Sequence, residues 1–228
     1  MANLFFTLLF CFFSTCLFAE EAQDSAKDKL AQMLIQVRAE YGVHQGLLVD
    51  EVAEEVSAQY ARWLFTQQEL SHVDMNARNA VKRYRLGGGS ALSTGEILGR
   101  GPDLERIVQM WLKSPTHRQV LLDPRWTAFG VGLMEDGHTY VATVLFTTSI
   151  STQHAFSWNG NNLEVKVTLR EGMLPQVWLQ AGNIQAVPVS IENERILKFS
   201  LSTNGPEQCM IFNSNGQGDL LVIPARYD

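Results

Sequence analysis

Apolar residues return every three or four positions along two early segments of the chain, the spacing of helices that bury one face. Leu30, Met33, Leu34, Val37 and Tyr41 form the first stripe, and Gly42 stops it. Asp50 stands where a second helix needs its cap, and Val52, Val56, Tyr60 and Trp63 share one side of that helix. The periodicity lapses around Ser71-His72-Val73-Asp74. A basic run, Arg78, Lys82, Arg83 and Arg85, then precedes Gly87-Gly88-Gly89. Such a run reads as the solvated face of a helix, and the three glycines as a flexible or tight turn. Gly95 to Leu98 reads as a short strand. Pro102, Asp103 and Glu105 mark the first turn of a further helix, where proline is tolerated and acidic side chains meet the positive end of the dipole. Leu104, Ile107, Val108, Trp111 and Leu112 are its buried stripe, and Ser114-Pro115 opens a short helical turn carrying His117. The pattern then alternates. Phe129, Val131 and Leu133 oppose Gly130, Gly132 and Met134, Asp136-Gly137 turns the chain, and Tyr140 to Thr148 returns as a strand. Helices around an antiparallel hairpin predict an α+β fold with a sheet covered by helices on both sides.

Near Ser149-Ile150-Ser151-Thr152 the helical period disappears. Leu163, Val165, Val167 and Leu169 alternate with Glu164, Lys166, Thr168 and Arg170, one strand with one wet face, after a turn at Asn159-Gly160. Val177 with Leu179, then Leu197, Phe199 and Leu201, then Leu220 to Ile223 give further strands. Residues 153–228 therefore read as a small all-β sandwich with its own core, appended to a first domain over residues 20–150.

Residues 1–19 carry no charge and are almost wholly apolar, ending in Ala19 before Glu20 and Glu21. This predicts a secretory signal peptide and a secreted or periplasmic protein, with an N-terminal anchor or a lipoprotein through Cys16 as the less favoured readings. Cys11 and Cys16 lie in that segment, so the exported chain keeps Cys209 and forms no internal disulfide. The net charge of -6 then belongs wholly to the exported part and argues against a sequence-independent grip on nucleic acid.

Three ionisable side chains stand out. His72 after Ser71 is, alone, most simply a structural loop residue. Glu96, between Gly95 and two aliphatic residues, either points to water at a sheet edge or finds a partner, since a carboxylate among apolar neighbours needs one. His117, next to Arg118, has a solvated reading as well. Their separations match no compact zinc signature. Ser71, Ser114 and Asp123 can be assembled on paper into a hydrolase triad, but no G-x-S-x-G elbow is present to favour it.

Taken jointly, Ser71-His72, Gly95-Glu96-Ile97-Leu98-Gly99, Trp111-Leu112-Lys113-Ser114-Pro115-Thr116-His117-Arg118, Leu121-Leu122-Asp123-Pro124 and Phe129-Gly130-Val131-Gly132 resemble the CAP superfamily: the cysteine-rich secretory, antigen 5 and pathogenesis-related proteins. The resemblance covers about Ala26 to Thr148 and is nearest to the bacterial branch. It implies an α-β-α sandwich whose cleft gathers His72, Glu96 and His117. It further implies a secreted protein binding a lipid or sterol, a small molecule or a divalent metal there, without dependable enzymatic activity. Many members have another glutamate between the first histidine and the Gly-Glu pair, whereas here only Asp74 is acidic from Val73 to Gly95. Metal binding would then rest on His72 and His117 and be weak, with zinc as the ion. The alternatives are an extracellular metal-assisted hydrolase, with Glu96 as ligand or base, and a cell-envelope adhesion or architectural protein acting through the β domain.

Overall fold

The computed structural model describes residues 26–173, 176–203 and 206–224; the expected export segment, residues 1–19, lies outside the described residues. Helix α1, residues 26–40, ends where the sequence places its stop. Gly42 takes φ +82° and Val43 N donates to Arg38 O at 2.8 Å, closing the helix with a left-handed residue. Strand β1 (Leu48–Val49) leads into α2 (Glu51–Phe65), capped by Asp50 accepting from Ala53 N at 3.1 Å. A long turn then reaches α3 (Ala80–Leu86) and the strand β2 (Thr94–Gly101). Helix α4 (Leu104–Lys113) begins later than expected. Asp103 is not in its first turn but is its cap, accepting from Arg106 N at 2.7 Å, and Pro102 precedes it. Helix α5 (Pro115–Leu121) starts with its proline in the first turn. The hairpin β3 (Ala128–Glu135) and β4 (Tyr140–Thr147) completes a four-stranded sheet of order β1-β3-β4-β2, with β1 parallel to β3 and the other pairs antiparallel.

Alternate side chains of these strands go to opposite faces. Ile97, Val131, Val144 and Phe146 pack with Leu30 and Leu34 of α1, Ile107 and Trp111 of α4 and Leu121 of α5. Leu98, Val141 and Leu145 go the other way, against Ala53, Tyr60 and Leu64 of α2 and Tyr84 of α3. Helix α2 lies directly on β3. A Cβ at Gly130 would stand 2.0 Å from Glu54 N, and one at Gly132 2.1 Å from Ser57 O. The absent side chains let Ser57 Oγ donate to Gly130 O at 3.2 Å while Thr143 Oγ1 donates to Ser57 O at 2.8 Å.

Beyond Ile150 the described residues form strands and the turns between them. One sheet runs β5-β6-β10-β9, from Ser151–Asn159, Asn162–Leu169, Ile196–Ser202 and Ser190–Glu192; the other runs β12-β11-β7-β8, from Gly218–Val222, Gln208–Asn213, Val177–Ala181 and Ile184–Ala186. Leu163, Val165, Val167, Leu169, Leu179, Phe199 and Leu201 share one core with Ile211, Leu221 and the buried Cys209. No helix among the described residues is long and apolar enough to cross a membrane.

The two parts meet at a buried carboxylate. Asp219, fully buried, accepts from Ser90 Oγ, Ile150 N, Ser151 N and Ser151 Oγ, all within 2.8–2.9 Å. Backbone bonds flank it, from Leu92 N to Gly218 O at 2.8 Å and from Leu220 N to Ser90 O at 2.7 Å. Arg170, following β6, reaches Val49 O at 3.1 Å and lies 3.5 Å from Asp50.

Gly130→Ala is expected to lower stability by roughly 2–4 kcal/mol, because the new methyl meets helix backbone that no rotamer change relieves. Gly46→Ala, with nothing within 4 Å of its Cβ, is the near-neutral control. Equal denaturant midpoints for the two variants would contradict this packing. A chain ending at Thr152 is expected to keep its helical circular dichroism and melt at a lower temperature, having lost the bonds of Asp219. A molten product would instead make the β segment part of the first core.

Candidate functional site

Glu96 lies on β2, an edge strand of its sheet, opposite Leu145 of β4. Since Ile97 enters the core under α4 and α5, its neighbour Glu96 turns to the α2–α3 side together with Leu98. Its side chain is only 7% exposed. Both carboxylate oxygens are engaged: Arg83 Nη2 donates to Oε1, and His72 Nδ1 lies 2.8 Å from Oε2. The edge position expected from sequence is therefore present, but the side chain does not point to water.

Arg83 corrects the reading of the basic run as a solvated face. Its side chain is also 7% exposed, and its Nη1 donates to Arg78 O at 2.7 Å and His72 O at 3.2 Å. The guanidinium carbon sits 3.4 Å from the centre of the Tyr60 ring, a stacked cation–π contact. Tyr60 in turn donates to Ser71 O, and burial pushes its phenol up to about 12. Of the remaining basic residues, Arg78 pairs with Asp74 at 2.7 Å, Arg85 caps carbonyls of Gly89 and Ala91, and Lys82 alone is fully outward. Asp74 is already committed, accepting from Asn76 N, Arg78 N and Arg78 Nε. These bonds shape residues 71–78 and deliver His72, whose ring remains 54% exposed.

His117 comes from α5. Burial, and secondarily the nearby His72 ring, lower its pKa below the usual histidine value, and its Nδ1 is buried without a hydrogen-bond partner among the described residues. Thus His72 and Glu96 are in direct contact, and His117 feels the charge of His72 without bonding to either. Among the described residues no three His, Cys, Asp or Glu side chains form a metal-holding group. Nδ1 of His72 faces the carboxylate, so its Nε2 is the nitrogen left for a ligand. Two imidazoles suit a weakly held divalent ion; Glu96, with each oxygen taken and a guanidinium beside it, does not fit as a third ligand.

Arg83 and Tyr60 also line an open groove of about 700 Å³ between α2, α3 and the 74–76 turn, with Val52, Val56, Trp63 and Leu86 as apolar walls. Neither Arg83 nor Tyr60 was singled out as a site residue from sequence. The available signal was the spacing of Ala80, Arg83 and Tyr84, which share the inward side of a short helix.

The lowered His117 pKa has a sign. An unfolded histidine takes up a proton below about 6.5, whereas the folded one resists it, so stability falls as pH drops below that value. Thermal midpoints are expected to decline from neutral pH to about pH 5, and His117→Asn to flatten that decline. A parallel decline in the variant would remove His117 from the account.

The sequence profile of the cysteine-rich secretory protein family, CAP, matches residues 32–149, just over half of the chain. An uncharacterized protein of Borreliella burgdorferi is 31% identical over 77 residues, which are 34% of this chain and 49% of that protein, so the match spans about half of the relative's length. Among solved structures, an outer surface protein of Borrelia burgdorferi superposes with a TM-score of 0.50 at 24% identity, over 54% of this chain and 92% of that one. An extracellular SCP-domain protein of Bacillus anthracis gives 0.49 at 20% identity, over 55% of this chain and 41% of that one. Residues 32–149, which carry the Glu96 strand, the His117 helix and the His72 turn, belong to the CAP family of cysteine-rich secretory proteins.

Proposed function

We propose that the chain is an exported CAP-domain binding protein whose cleft at His72, Glu96 and His117 receives a small or lipid-like ligand without catalysing a reaction. The observation that carries this reading is the state of Glu96, both of whose oxygens are bound, by Arg83 and by His72. A metal-assisted hydrolase would use Glu96 as a base, and its pairing with the Arg83 guanidinium stabilises the ionised form and makes it a weaker base. Arg83, which holds Glu96, also lines the neighbouring groove with Tyr60, and that groove joins polar side chains to apolar walls, the usual make-up of a small-molecule pocket. Export is supported by the apolar, uncharged residues 1–19 and by the outer-surface location in the name of the Borrelia structure.

The β segment supplies a second surface, for a protein partner outside the cell or in the envelope. Val187, Val189 and Ile191 are 61%, 67% and 50% exposed beside β9, an edge strand of its sheet, and favour this role. Zinc affinity of the cleft rests on the two imidazoles alone and is weak.

Titration with a fluorescent fatty acid and with a fluorescent sterol tests the reading. One of the two probes is expected to bind saturably and to weaken at least about fivefold in Trp63→Ala, the loss of one aromatic wall. Absence of saturable binding by both would remove the lipid-like ligand, and binding unchanged in the variant would remove the groove as its site.

A further inference from the structure

Helix α2 turns the small side chains of Ala53, Ser57 and Ala61 inward and leaves Val52, Val56 and Trp63 half-buried along the groove. From Glu51 to Trp63 that lining follows the helix for about 18 Å, at 1.5 Å of rise per residue. Leu86 of α3 and Met75 of the 74–76 turn line it too, 64% and 79% exposed. Gly87 comes close to the valines: a Cβ there would lie 2.9 Å from Val56 Cγ2 and 3.3 Å from Val52 Cγ1. This end of the groove is thus a narrow apolar trough, shaped for a thin apolar chain.

Its charges are unevenly answered. Five charged side chains line the groove: Glu51, Glu55, Asp74, Arg78 and Arg83. Both cations are already paired, Arg78 with Asp74 at 2.7 Å and Arg83 with Glu96. The two glutamates are not. Among the described residues Glu51 has no ion pair, and Glu55 accepts only from the neutral amide of Gln59, at 2.7 Å. Four residues apart on α2, they stand on one exposed rim beside Val52 and Val56. A chain lying on the valines therefore meets two uncompensated negative charges and no free positive one. We propose that this groove sorts amphiphiles by charge, laying an apolar chain along Val52, Val56 and Leu86, seating a cationic headgroup at Glu51 and Glu55, and turning carboxylates away. The proposal rests on the reading of the groove as the site of a lipid-like ligand.

The experiment is calorimetric titration of the full chain with three amphiphiles of one chain length: decyltrimethylammonium, 1-decanol and decanoate, each below the concentration at which it aggregates. The shared chain cancels the apolar contribution, so differences report the headgroup. At low salt the cation is expected to bind at least about fivefold more tightly than the carboxylate, with the alcohol between them, since each exposed carboxylate contributes modestly. Added salt should narrow that spread. In Glu51→Gln/Glu55→Gln, which alters two exposed side chains and no buried contact, the spread is expected to shrink to within about twofold. Trp63→Ala should weaken all three probes alike. Equal affinities for the three, or tightest binding of decanoate, would overturn the charge preference, as would a preference that survives in the double variant. Cation binding untouched by Trp63→Ala would place it outside the groove and overturn the proposal too. Equal affinities that all fall in Trp63→Ala would leave the lipid-like reading standing alone, whereas no saturable binding by any probe would remove both.

Discussion

The seating of α2 on strand β3 fixes most of what lies above the sheet. With Gly130 and Gly132 beneath it, the helix backbone reaches the strand backbone, and Ser57 and Thr143 stitch the two together. Every side chain of α2 inherits that depth. Tyr60, 3% exposed, then meets both Ser71 O and the guanidinium of Arg83, while Asp50 at the helix start takes the hydroxyls of Tyr84 and Thr147. Through Tyr84, the cap of α2 also sets the position of α3. A helix standing even an ångström higher would carry Tyr60 away from Arg83, and the arginine would lose the surface it stacks on.

The parts of this arrangement written in periodic patterns were legible in the sequence, and the parts written in single contacts were not. The stripes of α1 and α4, the Asp50 cap, the stop at Gly42 and the alternation of Leu163 to Leu169 all follow from rules that act over a few neighbouring residues. On α2, by contrast, the buried face is Ala53, Ser57, Tyr60, Ala61 and Leu64, and Val52, Val56 and Trp63 of the expected stripe wall the groove instead. Glu96 was visible because a carboxylate among aliphatic residues needs a partner. Its partner was hidden. Arg83 sits in a helix of seven residues, too short for a stripe to separate its faces, and three other basic residues surround it. Charge counting treats those four alike, although burial divides them. Asp103 was misplaced by a similar margin: its side chain serves as cap just as well as first-turn charge, and only the backbone geometry distinguishes the roles.

Asp219 was equally silent, and for the same reason. It is the second residue of a strand whose apolar residues were recognised, yet its four donors come from Ser90, Ile150 and Ser151, far away in sequence. The contact matters for the cleft because residues 90–92 join α3 to β2. One end of that connection carries Arg83 and the other carries Glu96. Strand β12, by pairing with it at Ala91 and Ser90, holds the two ends at a set separation. Arg170 acts in parallel from β6, bonding Val49 O beside the cap of α2. The β segment is thereby coupled to the frame of the site as well as owning a core of its own.

Stability alone does not account for the Arg83–Glu96 pair. Withdrawing two charges from water costs about as much as their attraction returns, so an apolar pair of like volume would serve the fold as well or better. Breaking the pair, by contrast, strands a buried charge. What the ions add is orientation. One carboxylate oxygen goes to Arg83, which leaves the other for His72 Nδ1, and that bond fixes the ring with its Nε2 directed away from Glu96. The same guanidinium holds the His72 carbonyl, so backbone and ring of this half-exposed residue are both determined from beneath. A loop without helix or strand thus presents its histidine in one pose, and the cost of burying the ions is the physical reason that the pose has no easy alternative.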